Sequence, residues 1–394
     1  MSKKQSYYVQ TDLLILLVLF MATSLISIYS AQQLEQYEDE NFVFRQTVFF
    51  IAGILMIASI QFLDMEQIYK ASIYIYIAGV LSLILLYISP ISIAEPINGA
   101  KSWFNRIPGV PISIQPAEFV KLTTILYLSV TISKHKEKFE NANLKSDLLL
   151  LLKLVVLTAL PVGLIMLQPD FGTAMVYLFI LGMMIIFSGI SWKIIISLIA
   201  AIGALLGALL AFIVRFADFA KEIVGPGNAY QIDRILTWFD PSQSSEGANW
   251  HFDRAYMGLG SGQLFGKGMG GVEVYYPEAQ TDFIYSVIGE TFGFIGSAFV
   301  ILLFFLLLYK LVTLGINMEK FMPFATYFCF GFLSLILVHV FQNVGMTIGV
   351  MPVTGIPLPL ISYGGSSVMS IMLGMGIIYR IAVEYTIQND YLFK

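Results

Sequence analysis

Charge is what this chain most lacks. Aspartate, glutamate, lysine and arginine make up 12% of its 394 residues, about half the share found in soluble domains. With 57% hydrophobic residues and a mean hydropathy of +0.79, the composition excludes an ordinary soluble globule. Several apolar runs reach the roughly 20 residues that cross a bilayer as helix, and none shows the ten-residue alternation of a membrane barrel. Cysteine is nearly absent too. Cys329 stands alone in an apolar run, which excludes an intrachain disulfide and a cysteine-based metal cluster. A fixed-period repeat is missing, as is the inverted duplication that many transporters carry. The net charge of −4 says little about partners, because membrane proteins distribute charge loop by loop. Nothing points to nucleic acid.

What remains is an all-α integral membrane protein of about ten transmembrane helices. The spans run Leu13–Tyr29, Gln46–Leu63, Tyr69–Ser89, Ile114–Ile132, Leu148–Leu167, Phe171–Phe187, Ile194–Val214, Phe283–Val312, Phe324–Gln342 and Gly364–Val383. Lys3 and Lys4 precede the first run as in a signal peptide, but its length and the spans that follow make it an uncleaved first helix. Basic residues of short loops set orientation. A cytoplasmic N-terminus puts Lys70, Lys134, Lys136, Lys138, Lys145, Lys193, Lys320 and Arg380 inside, and only Arg45, Lys101 and Arg106 in the short outer loops. Both termini are therefore expected in the cytoplasm. Residues 1–394 form a single polytopic membrane domain, with 215–282 a long extracellular loop between spans seven and eight. Its density of Trp and Tyr suggests a folded cap or short helices on the membrane surface.

Candidate chemistry gathers at the outer ends of the spans. Asp282 closes the longest polar region and heads the eighth span, where it could cap the helix or act as a base. Glu290 lies about 12 Å deeper at 1.5 Å per residue and reads as a buried, hydrogen-bonded acid. Glu118 and Lys121 are three apart on one helix face. Charges in lipid are expensive, so the pair either braces helices or faces a wet site. Trp103 is an interface anchor or a substrate contact. Asp170, in Gln168-Pro169-Asp170, is placed to cap the next helix. Gly266-Lys267-Gly268-Met269-Gly270-Gly271 formally matches a dinucleotide loop but has no βαβ surroundings. It is either a turn near phosphate or a plain loop. Ser362-Tyr363-Gly364-Gly365-Ser366-Ser367 opens the last helix after a proline-rich, uncharged segment. Helix-start amides there suit an anion, and serine capping is the alternative. Arg234, Arg254 and Lys267 could offset substrate charge or simply solvate the loop.

Five segments together carry a resemblance: Asn98-Gly99-Ala100-Lys101-Ser102-Trp103, Gln115-Pro116-Ala117-Glu118-Phe119-Val120-Lys121-Leu122, Gln168-Pro169-Asp170-Phe171-Gly172-Thr173-Ala174, Pro277-Glu278-Ala279-Gln280-Thr281-Asp282-Phe283-Ile284, and the run from Pro352 to Ser367. In this order they resemble the SEDS family (shape, elongation, division and sporulation). Phe341-Gln342-Asn343-Val344-Gly345-Met346-Thr347-Ile348-Gly349 looks more like the RodA elongation branch than the FtsW division branch. Ala117 stands where many members have serine, and Ala100-Lys101-Ser102 varies a basic pair. The resemblance implies a peptidoglycan glycosyltransferase that polymerises lipid II on the outer face of the bacterial membrane. It also implies a class B penicillin-binding protein (a transpeptidase) and other elongation-complex membrane proteins as partners. The family's catalytic aspartate maps onto Asp282, as general base. Lys121 and Arg234 are expected to help bind pyrophosphate, with Glu118 orienting Lys121. Trp103, Ser362, Gly364, Gly365 and Ser366 are the further substrate-binding candidates. No cofactor is fixed by the sequence; assistance by a divalent cation (Mg or Mn) stays open, with no closed ligand set visible. A lipid II flippase and a non-catalytic scaffold of the cell-wall synthesis complex are the alternatives.

Overall fold

Proline and short polar side chains set where the long helices begin. Asn41 accepts from the Phe44 amide, Asn143 from that of Ser146 and Asp170 from that of Thr173, while Asp64 and Gln67 form a capping box. Pro116 and Pro323 occupy first turns, where a missing N–H leaves no bond unmade. The structure, a computed structural model, describes residues 9–37, 40–97, 99–105, 113–139, 143–224, 232, 250–275 and 278–392. The helices among them are α1 (Thr11–Gln32), α2 (Phe42–Ile60), α3 (Met65–Ile88), α4 (Pro116–Lys138), α5 (Leu144–Met166), α6 (Phe171–Phe187), α7 (Trp192–Arg215), α8 (Ala217–Val224), α9 (Trp250–Ser261), α10 (Ile284–Met318), α11 (Pro323–Thr347) and α12 (Gly365–Leu392). No strand occurs among the described residues beyond isolated bridges at Ile97–Ala100 and Phe104–Ile114.

Eight of these helices are long and apolar enough to cross a membrane. The ten expected spans correspond to ten long helices; the two outside that eight are α4 and α6. Helix α6 has 17 residues. Helix α4 is the polar one, carrying Glu118, Lys121 and a Lys134–Lys138 tail, and it is buried along most of its length. It packs against α3, α5, α11 and α12, so it needs little lipid-facing surface. Helices α11 and α12 complete the centre: α11 lies against α10, α4 and α6, and α12 against α2 and α4. Phe328, Phe332 and Phe304 are fully buried there. Helix α7 is peripheral, burying only Ile195 and Ile213.

One span departs from expectation. Helix α10 is broken at Gly293, whose φ of 65° and ψ of −159° are not helical. The break frees backbone groups that must find partners inside a low-dielectric layer. The glycine-rich segment supplies them. The amides of Lys267 and Gly268 donate to the Glu290 and Thr291 carbonyls at 2.9 Å each, while Phe294 and Ile295 donate to Gln263 and Leu264. A Cβ on Gly293 would sit 2.5 Å from the Gly266 nitrogen, and one on Gly262 would sit 1.8 Å from the Gly289 carbonyl oxygen. The loop is therefore pinned to α10 by close backbone approach. Helix α9, just before it, also packs on α10 and α11, so part of the long loop is folded cap.

Candidate active site

Asp282 lies in the turn 278–283 that leads into α10. It does not cap that helix: the N-cap position is Phe283, with no side-chain cap bond. Its carboxylate has no hydrogen bond or ion pair among the described residues, and it faces Gly355, whose added Cβ would lie 3.2 Å from Oδ2. Gly355 has a φ of +71°, so a side chain there would be strained as well as crowding. Packing around the carboxyl, and secondarily the Glu278 carboxylate, push the Asp282 pKa up to about 7. Glu278 was not singled out from sequence, although it lies in the same motif.

The turn is held from several sides. Asn343 of α11 donates from Nδ2 to the Asp282 carbonyl at 2.8 Å and to the Ile356 carbonyl at 2.9 Å. Ser362 donates to the Thr281 carbonyl at 2.6 Å and accepts from the Leu358 amide at 2.8 Å. The Tyr363 amide donates to the Gln280 carbonyl at 2.8 Å, and the Tyr37 hydroxyl donates to Gln280 Oε1. Glu278 and Leu360 have φ of +51° and +60°. Non-glycine residues in that region persist where surroundings over-determine them, often at functional sites.

Behind the 355–363 loop sits a buried polar triad. Lys121 Nζ is 2.7 Å from Glu118 Oε1 and 3.1 Å from His339 Nε2. Glu118, Lys121 and His339 are 5%, 2% and 1% exposed. His339 Nδ1 lies 3.0 Å from the Pro357 carbonyl, which can only accept. Nδ1 therefore carries the proton, and Nε2 accepts from the lysine ammonium. The expected Glu118–Lys121 contact is present, and His339 links it to the loop beside Asp282. Sequence reasoning missed His339, although a lone titratable residue in an apolar span is itself a signal. The second Glu118 oxygen, Oε2, has no hydrogen-bond partner among the described residues.

The other candidates fall into supporting positions. Ser366 accepts from the Gln115 amide at 2.9 Å, and Gly364 donates to Gln46 Oε1 at 3.3 Å. A Cβ on Gly365 would meet the Phe49 ring at 2.8 Å, so that glycine lets α12 approach α2. The Ser362, Gly364 and Ser366 groups are thus engaged within the fold. Trp103 is half-buried beside the Phe104–Ile114 bridge. Arg234 lies outside the described residues. Asp170 caps α6 and also accepts from Gln115 Nε2 at 3.1 Å. Glu290 is fully buried, taking the Lys267 ammonium at 2.7 Å and the Glu273 amide at 3.0 Å. The described residues contain no group of three potential metal ligands. Asp282 and Glu278 offer two carboxylates, which alone do not close a site, and no step below passes through a metal. An apolar cavity of about 410 Å3 opens between α1 and α10 at the helix break, lined by Phe265, Met269, Phe292 and Phe299.

A bundle of membrane-length helices with a strapped, carboxylate-bearing turn at one end defines a multi-pass membrane protein. A family model for cell cycle proteins of the FtsW, RodA and SpoVE type matches residues 5–387, and the chain belongs to that family. Among its relatives is the probable peptidoglycan glycosyltransferase FtsW of Bacillus subtilis, 32% identical over 97% of this chain and 93% of the relative. The protein of the same description from Allochromatium vinosum is 32% identical over 82% of this chain and 76% of its own length. Among solved structures, a chain from work on the structural coordination of polymerization and crosslinking by a peptidoglycan synthase complex superposes with a TM-score of 0.74. It has 27% identity and covers 96% of this chain and 98% of its own. The rod shape determining protein RodA of Thermus thermophilus gives 0.64 at 26% identity, over 96% and 98%. The relatives carry the FtsW description while the solved neighbours include RodA, so family membership leaves the branch undecided.

Proposed function

We propose that this chain is a peptidoglycan glycosyltransferase that polymerises lipid II, with Asp282 as general base. The observation carrying the reading is a carboxylate without a protein partner, its pKa raised to about 7, on a turn fixed by α11 and the 355–363 loop. The acceptor sugar hydroxyl attacks the anomeric carbon of the lipid-linked strand. The new C–O bond forms as the bond to pyrophosphate breaks, the undecaprenyl pyrophosphate leaves, and the hydroxyl proton passes to Asp282. Pyrophosphate is a good leaving group, so a second carboxyl acting as acid is not needed, unlike in glycosidases. The buried Lys121, held by Glu118 and His339, supports a positioning role through Pro357. The apolar cavity at the α10 break suits a polyprenyl chain.

The distribution of basic residues supports cytoplasmic termini, with the site on the outer face. The Asn343-bearing end of α11 favours the elongation branch and, with it, a class B penicillin-binding protein and other elongation-complex proteins as partners. The test is purified Asp282→Asn protein with lipid II in detergent, products resolved as glycan strands. Wild type should make polymer and the variant none. Polymer from the folded variant removes the base assignment, and no polymer from wild type favours a flippase or a scaffold.

A further inference from the structure

At the opposite end of the bundle, a cavity of about 560 Å3 opens between α3, α4 and α5. Lys134 and Lys138, one turn apart on α4, and Lys153 on α5 line it. Lys153 lies nine residues into α5, about 14 Å along its axis, in the middle of the run Leu148-Leu149-Leu150-Leu151-Leu152-Lys153-Leu154-Val155-Val156. A lysine at that depth is costly unless something uses it. Among the described residues its hydrogen-bond contact is His135 Nδ1 at 3.3 Å, which accepts from the ammonium and leaves Nε2 to bond Ser146 at 3.0 Å. A neutral imidazole does not cancel the charge. Two carboxylates lie near but outside the lining: Asp147 accepts from the Ser191 amide and Glu137 from the Ser133 hydroxyl, neutral donors that leave each its charge. Lys134 lies over the Tyr69 ring and Lys138 over that of Phe139, contacts that orient an ammonium without neutralising it.

Three lysines line the opening against two carboxylates set back from it, which leaves the opening itself positive and suited to an anion. The rest of the wall says which anion. Ile73, Leu152 and Val156 line the same cavity and are exposed on the membrane-facing surface. A free phosphate gains nothing from them, whereas an acyl chain does. We propose that this cavity holds an anionic phospholipid, its headgroup phosphate between Lys134, Lys138 and Lys153 and an acyl chain along Leu152 and Val156. Basic pockets between transmembrane helices are suited to such headgroups. The site is remote from Asp282 and independent of the reaction proposed there.

Native mass spectrometry of the delipidated full chain, titrated with phosphatidylglycerol or chain-matched phosphatidylcholine, tests this. One phosphatidylglycerol should be retained preferentially. Lys153→Gln should weaken it about fivefold and neutralising all three lysines about a hundredfold. Lys153→Arg should keep the lipid, as should Lys193→Gln at the same end of the bundle. Equal retention of the two lipids, or unchanged retention by the triple variant, overturns the proposal. Displacement by millimolar inorganic phosphate reassigns the site to free anion and overturns it too. If the triple variant is not monodisperse, Val156→Trp decides: it fills the acyl channel with every lysine in place, so phosphatidylglycerol should be lost, and undiminished retention refutes the proposal.

Discussion

A general base with a pKa near 7, the role proposed for Asp282, turns the rate into a titration curve. Asp282 is pushed there by burial first and by the Glu278 carboxylate second. A group with that pKa is about 10% ionised at pH 6 and about 90% at pH 8. Initial polymerisation rates should therefore rise about tenfold across that interval and level off above it. An aspartate at its usual value would give a flat profile over the same range. Glu278→Gln removes the neighbouring charge and leaves the burial, so the midpoint should move to lower pH while staying above the ordinary carboxylate range. That shift also separates the protein group from the substrate pyrophosphate, whose own ionisation the substitution does not alter. The same pKa has a stability consequence. The folded state holds a proton that the unfolded state releases, so stability falls as pH rises from 3.8 to about 7 and is flat beyond. Asp282→Asn escapes that penalty, which is at most about 4 kcal/mol. At pH 8 it should melt no lower than wild type while making no glycan. Lipid II gel assays on enzyme returned to pH 8 after each exposure exclude irreversible loss. A rate that is flat from pH 6 to 8, or an Asp282→Asn protein less stable than wild type at pH 8, refutes the reasoning.

Three further outcomes follow from the same contacts. Lys121→Met leaves Glu118 buried without its counter-ion, a loss of about 3–5 kcal/mol. Adding Glu118→Gln should recover most of the thermal midpoint in detergent, and equal melting of the single and double variants would show the pair is not coupled. Gly293→Ala forces a side chain into a φ of 65° and to 2.5 Å from the Gly266 nitrogen, strain of about 1–3 kcal/mol. Hydrogen exchange should speed up at residues 262–268 before it does in the rest of α10. Asn343→Ala removes both bonds to the Asp282 and Ile356 carbonyls. A misplaced base can lower turnover about a hundredfold, so kcat should fall with the pH midpoint left near its wild-type position.

The span plan was legible because run length and loop charge are properties of sequence, and most helix ends fell within a few residues of the apolar limits. What hydropathy cannot register is a single residue that changes backbone or charge inside an apolar run. Gly293 breaks α10 without lowering its hydrophobicity, and the spacing Gly289, Gly293, Gly296 was the available signal. His339 and Lys153 vanished into their runs in the same way. The glycine-rich segment was under-read for a different reason. Its composition says only that glycine is needed, and the partner that needs it, the α10 backbone, is distant in sequence. Asp282 was found from its motif and its place at a boundary. Its freedom from capping depends on the chain turning at 278–283, which no periodicity reports.

The polar residues of α4, α11 and α12 form one arrangement with a physical reason behind it. Between lipid-bathed helices the hydrophobic effect supplies little attraction, and non-helical backbone needs an internal partner for every polar group. The 278–283 turn and a proline-rich loop at the end of such a bundle thus create a demand for donors. The central helices meet it: Asn343 reaches two carbonyls, His339 reaches Pro357, and Ser362 bridges Leu358 and Thr281. Ser370 of α12 in turn donates to the Glu118 carbonyl at 2.7 Å, tying α12 to α4 beside the triad. In this network Asp282 alone offers a carboxylate with no partner among the described residues. The neighbouring Gln280 and Thr281 side chains donate to Glu278, and Asn343 takes the Asp282 carbonyl, so the turn is held while the carboxylate keeps its raised affinity for a proton. The proposed base, which must accept a proton only when substrate arrives, requires that combination, and the demand for donors accounts for polar residues in otherwise apolar helices.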